Sequence, residues 1–142
     1  MAAGTFVIAA VSLDCADHLE LAEFYARMLD GTLLWSTPTS AGIRCGSYVL
    51  AAQRVEGYAP PQWPGSAVMH LDLNSNADAG ASGVADARAD AGADDDIEKL
   101  VQAAVAAGAR VAEHQPDPRW RVLLDPAGHP FCITPYAPPQ AR

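Results

Sequence analysis

The residues best suited to chemistry in this chain of 142 residues are its four histidines, three cysteines and scattered acids. Cys15, Cys45 and Cys132 are odd in number and far apart, so they predict neither a disulfide framework nor a structural zinc knuckle. No serine lies in a nucleophile elbow, and the sequence has neither a G-x-G-x-x-G fingerprint nor a P-loop. Local motifs therefore supply no catalytic site, and any site must be assembled by the fold.

The first part of the chain has the pattern of a strand, a helix and three further strands. Residues 5–13 form an apolar run that predicts a buried first strand. Asp17 is expected to cap a helix with apolar residues at helical spacing, and Gly31 is expected to end it in the left-handed conformation. Three short strands are then predicted at residues 32–35, 42–45 and 48–54. This first module covers about residues 5–56.

The same order of elements recurs after a proline-rich linker at residues 57–66. The second module, about residues 67–136, has a predicted strand at 67–73 and a helix around Ile97–Val105 that ends at Gly108. Three more strands are predicted at 110–112, 120–124 and 130–134. Residues 74–96 form an insertion rich in Asp and Ala, which is interpreted as a solvated surface segment in preference to a lid.

The composition restricts the partners of the protein. A formal net charge of −8 opposes binding to nucleic acid and is easier to reconcile with a neutral or cationic ligand. No apolar run approaches the ~20 residues that a membrane span requires, so no membrane association is expected. The cysteine pattern and the lack of a basic residue before the apolar N-terminal stretch favour a cytoplasmic location.

Two segments carry a resemblance to a known family. Residues 13–25 contain a strand and a helix with the pair Phe24-Tyr25, and residues 120–132 contain a strand, the turn Asp-Pro-Ala-Gly and a closing strand. Both resemble the glyoxalase-like branch of the vicinal-oxygen-chelate superfamily. The resemblance implies an α+β fold of tandem βαβββ modules, forming a curved, partly open barrel-like sheet around a small-molecule pocket. It also implies one domain over residues 1–142 and a homodimer.

Metal-using members of that superfamily hold a divalent ion with four ligands, two from each module. Aligned on the quoted motifs, these positions are occupied here by Ala10, Gln53, His70 and Cys132. Alanine cannot bind a metal, glutamine is a weak neutral donor, and the set contains no carboxylate. We therefore expect no glyoxalase-type catalytic metal and no other cofactor. His70 and Cys132 could still form half of a zinc site.

A pocket without a metal would use the same positions for ligand binding. His70 could donate a hydrogen bond to a ligand, with Gln53 and Cys132 beside it. Trp35, Trp63 and Trp120 could stack on a planar ligand, although a core role for Trp35 and Trp120 is equally consistent with the sequence. His70 and Cys132 could likewise be a satisfied strand histidine and a buried apolar residue. The remaining histidines are expected at the surface: His18, His114 and His129.

Three functions follow from this set of residues. The first is a non-catalytic binder, similar to the drug-sequestering, bleomycin-resistance-like proteins of the superfamily. The second is a metal-dependent lyase, isomerase, epimerase or dioxygenase in which Asp14, Asp72 or Glu56 replaces a missing ligand. The third is metal-free catalysis with His70 as general base. The incomplete ligand set favours the binder over either enzyme.

Overall fold

The structure is a computed structural model that describes residues 7–65, 69–74 and 91–135. Within these ranges each half of the chain runs strand, helix and then three strands, in the predicted order. The elements are β1 (Val11–Cys15), α1 (His18–Leu29), β2 (Thr32–Ser36), β3 (Ser40–Cys45), β4 (Tyr48–Arg54), β5 (Leu71–Leu73), α2 (Ala91–Ala107), β6 (Arg110–Val111), β7 (Arg121–Leu124) and β8 (Pro130–Ile133).

Each half forms its own four-stranded mixed sheet, with strand orders β1-β4-β3-β2 and β5-β8-β7-β6. β1 pairs with β4 and β5 with β8 in parallel, and the other pairs are antiparallel. Both sheets are open, since each ends in two edge strands. The chain divides into two compact units, Met1–Pro60 and Pro61–Arg142, within the predicted linker. The predicted α+β fold of two βαβββ modules is confirmed.

Helix α1 shows how local sequence sets the element boundaries. The Asp17 carboxylate accepts the backbone N–H groups of Leu19 and Glu20 at 3.1 and 3.0 Å, which is the predicted N-cap. The left-handed residue at the other end is Asp30, with φ 51° and ψ 47°, so the prediction for Gly31 is wrong. A β-carbon on Gly31 would lie 3.1 Å from the Arg44 carbonyl oxygen. Glycine therefore avoids a tight contact with the backbone of β3 at this position.

Most other strand boundaries differ from the predictions by one or two residues, and the larger differences are in β1, β5 and α2. β1 starts at Val11, and Val7 and Ile8 upstream of it are exposed. Val11 pairs with Leu50, and β4 begins only two residues before Leu50, so β4 offers no partners to Val7 and Ile8. β5 covers Leu71–Leu73 of the predicted 67–73, of which residues 66–68 lie outside the described part. α2 starts at Ala91, so the end of the acidic insertion is helical; residues 75–90 lie outside the described part.

Each unit buries one face of its sheet against its own helix. The buried apolar residues of the first unit are Cys15, Leu21, Ala22, Phe24, Tyr25, Ala41, Ile43, Leu50, Ala51 and Ala52, and those of the second include Ile97, Val101, Ala104, Leu123, Phe131 and Ile133. His18 is also buried, and its Nε2 lies 2.9 Å from the Thr37 carbonyl oxygen. His129 is mostly buried as well, and only His114 of the three histidines expected at the surface is exposed. No helix in the described ranges is long and apolar enough to cross a membrane.

Candidate functional site

The second unit contains a cavity of about 280 Å³ on the sheet face that points away from α2. Its lining is mainly apolar and aromatic, with a few polar groups at one place. The lining residues are Trp63, His70, Asp72, Pro116, Trp120, Val122, Cys132 and Thr134. A concave apolar surface with a few convergent polar groups is typical of a small-molecule site.

The register of the sheet explains why these residues meet. Cys132 on β8 is paired with Asp72 on β5 and with Val122 on β7, so the three side chains share one face. Trp120 and Thr134 stand two residues from Val122 and Cys132, which places them on that face too. Phe131 and Leu123 alternate with this row and pack in the core. The short strands thus separate a core face from a cavity face.

Three side chains that can bind a metal or exchange a proton converge in the cavity. His70 Nδ1 lies 3.1 Å from Asp72 Oδ1 and 3.9 Å from Cys132 Sγ. All three donor atoms lie within 4.8 Å of one another. The His70 and Asp72 side chains are 40% and 60% exposed, whereas Cys132 is buried. A ligand in the cavity can therefore reach the imidazole and the carboxylate directly.

The electrostatics of this cluster argue against a cysteine nucleophile. Burial raises the pKa of the Cys132 thiol to about 11, with further contributions from the negative charge of Asp72 and from a hydrogen bond to it. The thiolate is the reactive form, so little of it is present near neutral pH. Asp72 beside His70 Nδ1 is, in contrast, the arrangement that orients an imidazole for hydrogen bonding or for proton transfer through the other ring nitrogen.

A long loop between β6 and β7 forms one wall of the cavity, and Gln115 fixes it. The Gln115 side-chain amide donates to the carbonyl oxygens of Ala112 and Val122, both at 2.8 Å. Its oxygen accepts the Val122 N–H, also at 2.8 Å. The amide thus adds to the backbone bond in which Ala112 N–H donates to the Val122 carbonyl oxygen at 3.0 Å. It holds Pro116 and Trp120 at the cavity.

Further contacts position the two tryptophans. Trp63 Nε1 donates to the His114 carbonyl oxygen at 3.1 Å, which ties the segment before β5 to the loop. The Arg119 guanidinium lies 5.3 Å from the centroid of the Trp120 ring and forms a bidentate pair with Asp117. Hydrogen bonds from Arg119 lower the pKa of Asp117 to about 2. The apolar walls of the cavity are therefore held by polar contacts outside it.

The other site residues predicted from the sequence belong to the first unit. Gln53 on β4 is exposed and is paired with Asp14 and Ser40. Ala10 precedes β1, four residues before Asp14, so Ala10 and Gln53 are not neighbours in the sheet. Trp35 on β2 lies against Gly42, where a β-carbon would be 2.1 Å from the indole ring, and its Nε1 donates to Ser40 Oγ at 3.1 Å.

The donors present decide whether a divalent metal fits. In the first unit, the Ala10 side chain has no donor atom for a metal, and Gln53 offers only a neutral amide. In the second unit, Asp72 adds a carboxylate to His70 and Cys132, which gives one nitrogen, one oxygen and one sulfur donor. That set suits a zinc-type ion. When bound, such an ion would act as a Lewis acid on a ligand oxygen.

The sequence pointed to part of this site. His70, Cys132 and Trp120 were predicted and line one cavity, and Asp72 was named as one of three replacement ligands. Trp63 was named as one of three tryptophans that could stack on a ligand, whereas Pro116, Thr134 and Gln115 were not predicted as site residues. For Thr134 a signal existed, since it follows Cys132 by two strand positions. The role of Gln115 depends on loop geometry that has no pattern in the sequence.

A comparison with protein families matches residues 10–134 to the glyoxalase-like domain. No curated protein matches the chain. Among solved structures, a glyoxalase-related enzyme from Fulvimarina pelagi is 20% identical, with a TM-score of 0.59 over 89% of this chain and 86% of that one. A glyoxalase/bleomycin resistance protein/dioxygenase family enzyme from Burkholderia phytofirmans PsJN is 17% identical, with a TM-score of 0.57 over 88% and 94%.

The fosfomycin resistance protein FosX from Listeria monocytogenes, solved with Mn(II) and sulfate, is 9% identical. Its TM-score is 0.63, over 96% of this chain and 93% of that one. At such identities the likeness to solved structures concerns the fold. The match over residues 10–134 covers both units and most of the chain.

Proposed function

The chain belongs to the glyoxalase-like domain family, and from that premise we propose that it binds a small organic molecule in the cavity of its second unit. The function is sequestration of a ligand, similar to that of the drug-binding resistance proteins that the sequence resembles. The observation that carries this proposal is the cavity itself, in which Trp63 and Trp120 flank one polar cluster. Aromatic walls supply affinity, and a few polar groups fix the orientation of the ligand.

The charges around the cavity favour a cationic ligand. Asp72 is a partly exposed carboxylate, and no Lys or Arg is among the described residues that line the cavity. The indole face of Trp63, and the face of Trp120 that Arg119 does not cover, can also attract a cation. The formal charge of −8 acts in the same direction at longer range. We therefore expect an aromatic or planar amine to bind better than a neutral or anionic molecule of the same size.

Three probes of matched size test this proposal: naphthylmethylamine, naphthylmethanol and naphthoate. Binding is measured by calorimetry in the presence of a chelator, so that metal ions do not contribute. We expect the amine to bind most tightly, and Trp120→Ala to weaken it by about tenfold. Asp72→Asn should reduce the preference for the amine over the alcohol.

Tyr48→Ala is the matched control, because it removes an exposed aromatic side chain from the first unit. It should leave binding unchanged. Preferred binding of naphthoate, or equal affinities in the wild type and Trp120→Ala, would show that the cavity is not the site of a cationic ligand.

A metal-dependent enzyme is the second candidate, and the convergence of His70, Asp72 and Cys132 favours it. FosX from Listeria monocytogenes has been solved with Mn(II) and dihydroxypropylphosphonic acid. An anionic phosphonate is a poor match for the carboxylate in this cavity, so fosfomycin is not the substrate that we propose. Turnover of a neutral or cationic substrate that disappears with chelator and returns with zinc would favour the enzyme over the binder.

A further inference from the structure

The second unit brings together a donor set that needs no residue from the first unit. His70 immediately precedes β5, Asp72 stands two residues later on the same face, and Cys132 is the strand partner of Asp72 on β8. The 3.1 Å and 3.9 Å distances from His70 Nδ1 place all three donors around one point. The strand pairing therefore fixes these positions, and no loop is required to deliver a ligand.

The chemistry of the three donors selects among metals. Imidazole nitrogen, carboxylate oxygen and cysteine sulfur are the three donor types that zinc uses in proteins, whereas manganese and magnesium prefer sites made of oxygen. The charges also balance, since a carboxylate and a thiolate together neutralise a divalent ion. Three protein ligands would leave a further position for a water molecule or a ligand, as in catalytic zinc sites.

We propose that His70, Asp72 and Cys132 form a zinc site within the second unit alone. This site differs from the set Ala10, Gln53, His70 and Cys132 that the family resemblance implies, because Asp72 replaces both positions of the first unit. On binding, the Cys132 S–H bond breaks, its proton passes to solvent, and the sulfur electron pair forms the bond to the metal. The inference is independent of the organic ligand, because the experiment below contains none.

Cobalt(II) is the spectroscopic probe, since it replaces zinc and reports a thiolate ligand by a charge-transfer absorption. The full-length chain is first stripped with a chelator. We expect one equivalent of cobalt(II) to produce the charge-transfer band and zinc to abolish it by displacement. Manganese(II) at the same concentration should leave the band unchanged. Absence of the band, or displacement by manganese as effective as by zinc, would overturn the proposal.

Matched variants assign the ligands. Cys132→Ser should remove the band, whereas Cys45→Ser, which alters a thiol of the first unit, should retain it. Asp72→Asn and His70→Gln should each weaken zinc binding by more than about tenfold in competition titrations. His114→Gln controls for the loss of an exposed histidine. Circular dichroism shows whether each variant is folded.

Asp72→Asn keeps the size of the side chain, so it tests the carboxylate even if Cys132→Ser does not fold. Unchanged zinc affinity in a folded Asp72→Asn protein would exclude the carboxylate as a ligand and overturn the three-residue site. The naphthylmethylamine measurements are made with chelator present, so failure of the zinc site and failure of the organic ligand are separate results.

Discussion

The two units share one topology, and among the described residues the second unit has an open cavity on the sheet face away from its helix. In the first unit, Trp35 lies on Gly42, and the void next to the helix measures about 10 Å³. A void of that size is at the lower limit for one water molecule and is a packing gap. The cavity of the second unit measures about 280 Å³ and contains the His70, Asp72 and Cys132 cluster. The βαβββ framework thus sets the positions, and the side chains decide whether chemistry occurs there.

Loop length is one physical cause of this difference. The first unit connects β2 to β3 with three residues, 37–39, whereas the second connects β6 to β7 with nine, 112–120. A three-residue turn leaves Trp35 on the strand, where it packs on the sheet. The longer loop carries Trp120 at its end and can stand away from the strands as a wall. Its backbone then needs other hydrogen-bond partners, which Gln115 supplies.

The largest effect that separates the units is expected at the β7–β8 turn. Asp125 is fully buried and accepts the N–H groups of Ala127 and His129 at 2.9 and 3.0 Å, while His129 Nδ1 lies 2.9 Å from its other oxygen. Asp125→Ala removes these buried hydrogen bonds, so we expect a loss of about 3 kcal/mol in the free energy of unfolding by urea denaturation.

Ser47→Ala, in the β3–β4 turn of the first unit, is the control for Asp125→Ala. That turn relies on Gly46 with φ 60°, and we expect a change within about 0.5 kcal/mol for an exposed position. If Asp125→Ala and Ser47→Ala lower the free energy of unfolding by the same small amount, the two turns contribute equally to stability. The two units would then not differ at this turn.

A smaller effect is expected at Gln115, which supports the cavity wall. Gln115→Ala removes three hydrogen bonds of 2.8 Å and should cost about 2 kcal/mol. It should also weaken binding of naphthylmethylamine, because Trp120 is less firmly held. The control is Thr37→Ala, whose hydroxyl makes the corresponding turn contacts in the first unit. If Gln115→Ala binds naphthylmethylamine as tightly as the wild type, the hydrogen bonds of Gln115 are not needed to hold Trp120 at the cavity.

The sequence predicted the order of elements because hydrophobic periodicity and turn residues are local signals. It misplaced the left-handed cap, since the choice between Asp30 and Gly31 depends on the approach of β3. It paired His70 with Cys132 through the family resemblance and named Asp72 as one of three replacement ligands, and strand period two could have added Thr134. The position of Trp63 depends on a contact with the distant His114, and the role of Gln115 depends on the conformation of its own loop; a single sequence reveals neither.

The smallest effect is expected at Asp117, which forms an ion pair with Arg119 inside the loop between β6 and β7. Its two hydrogen bonds of 2.8 and 3.0 Å contrast with the first unit's Arg27–Glu23 pair, whose closest atoms are 4.0 Å apart. A pKa lowered from 3.8 to about 2 means that the pair contributes to stability above about pH 4 and that this contribution is lost as the pH falls toward 2.

Arg119→Gln should therefore raise the pKa of Asp117 toward 3.8 in an NMR titration of its carboxyl group. Arg121→Gln is the matched control, because the Arg121 guanidinium donates to the carbonyl oxygens of Pro118 and Trp120. Because the pair is exposed, the stability of the fold should change little in either variant. An Asp117 pKa that stays near 2 without Arg119 would show that the backbone of the loop, rather than the ion pair, holds this wall of the cavity.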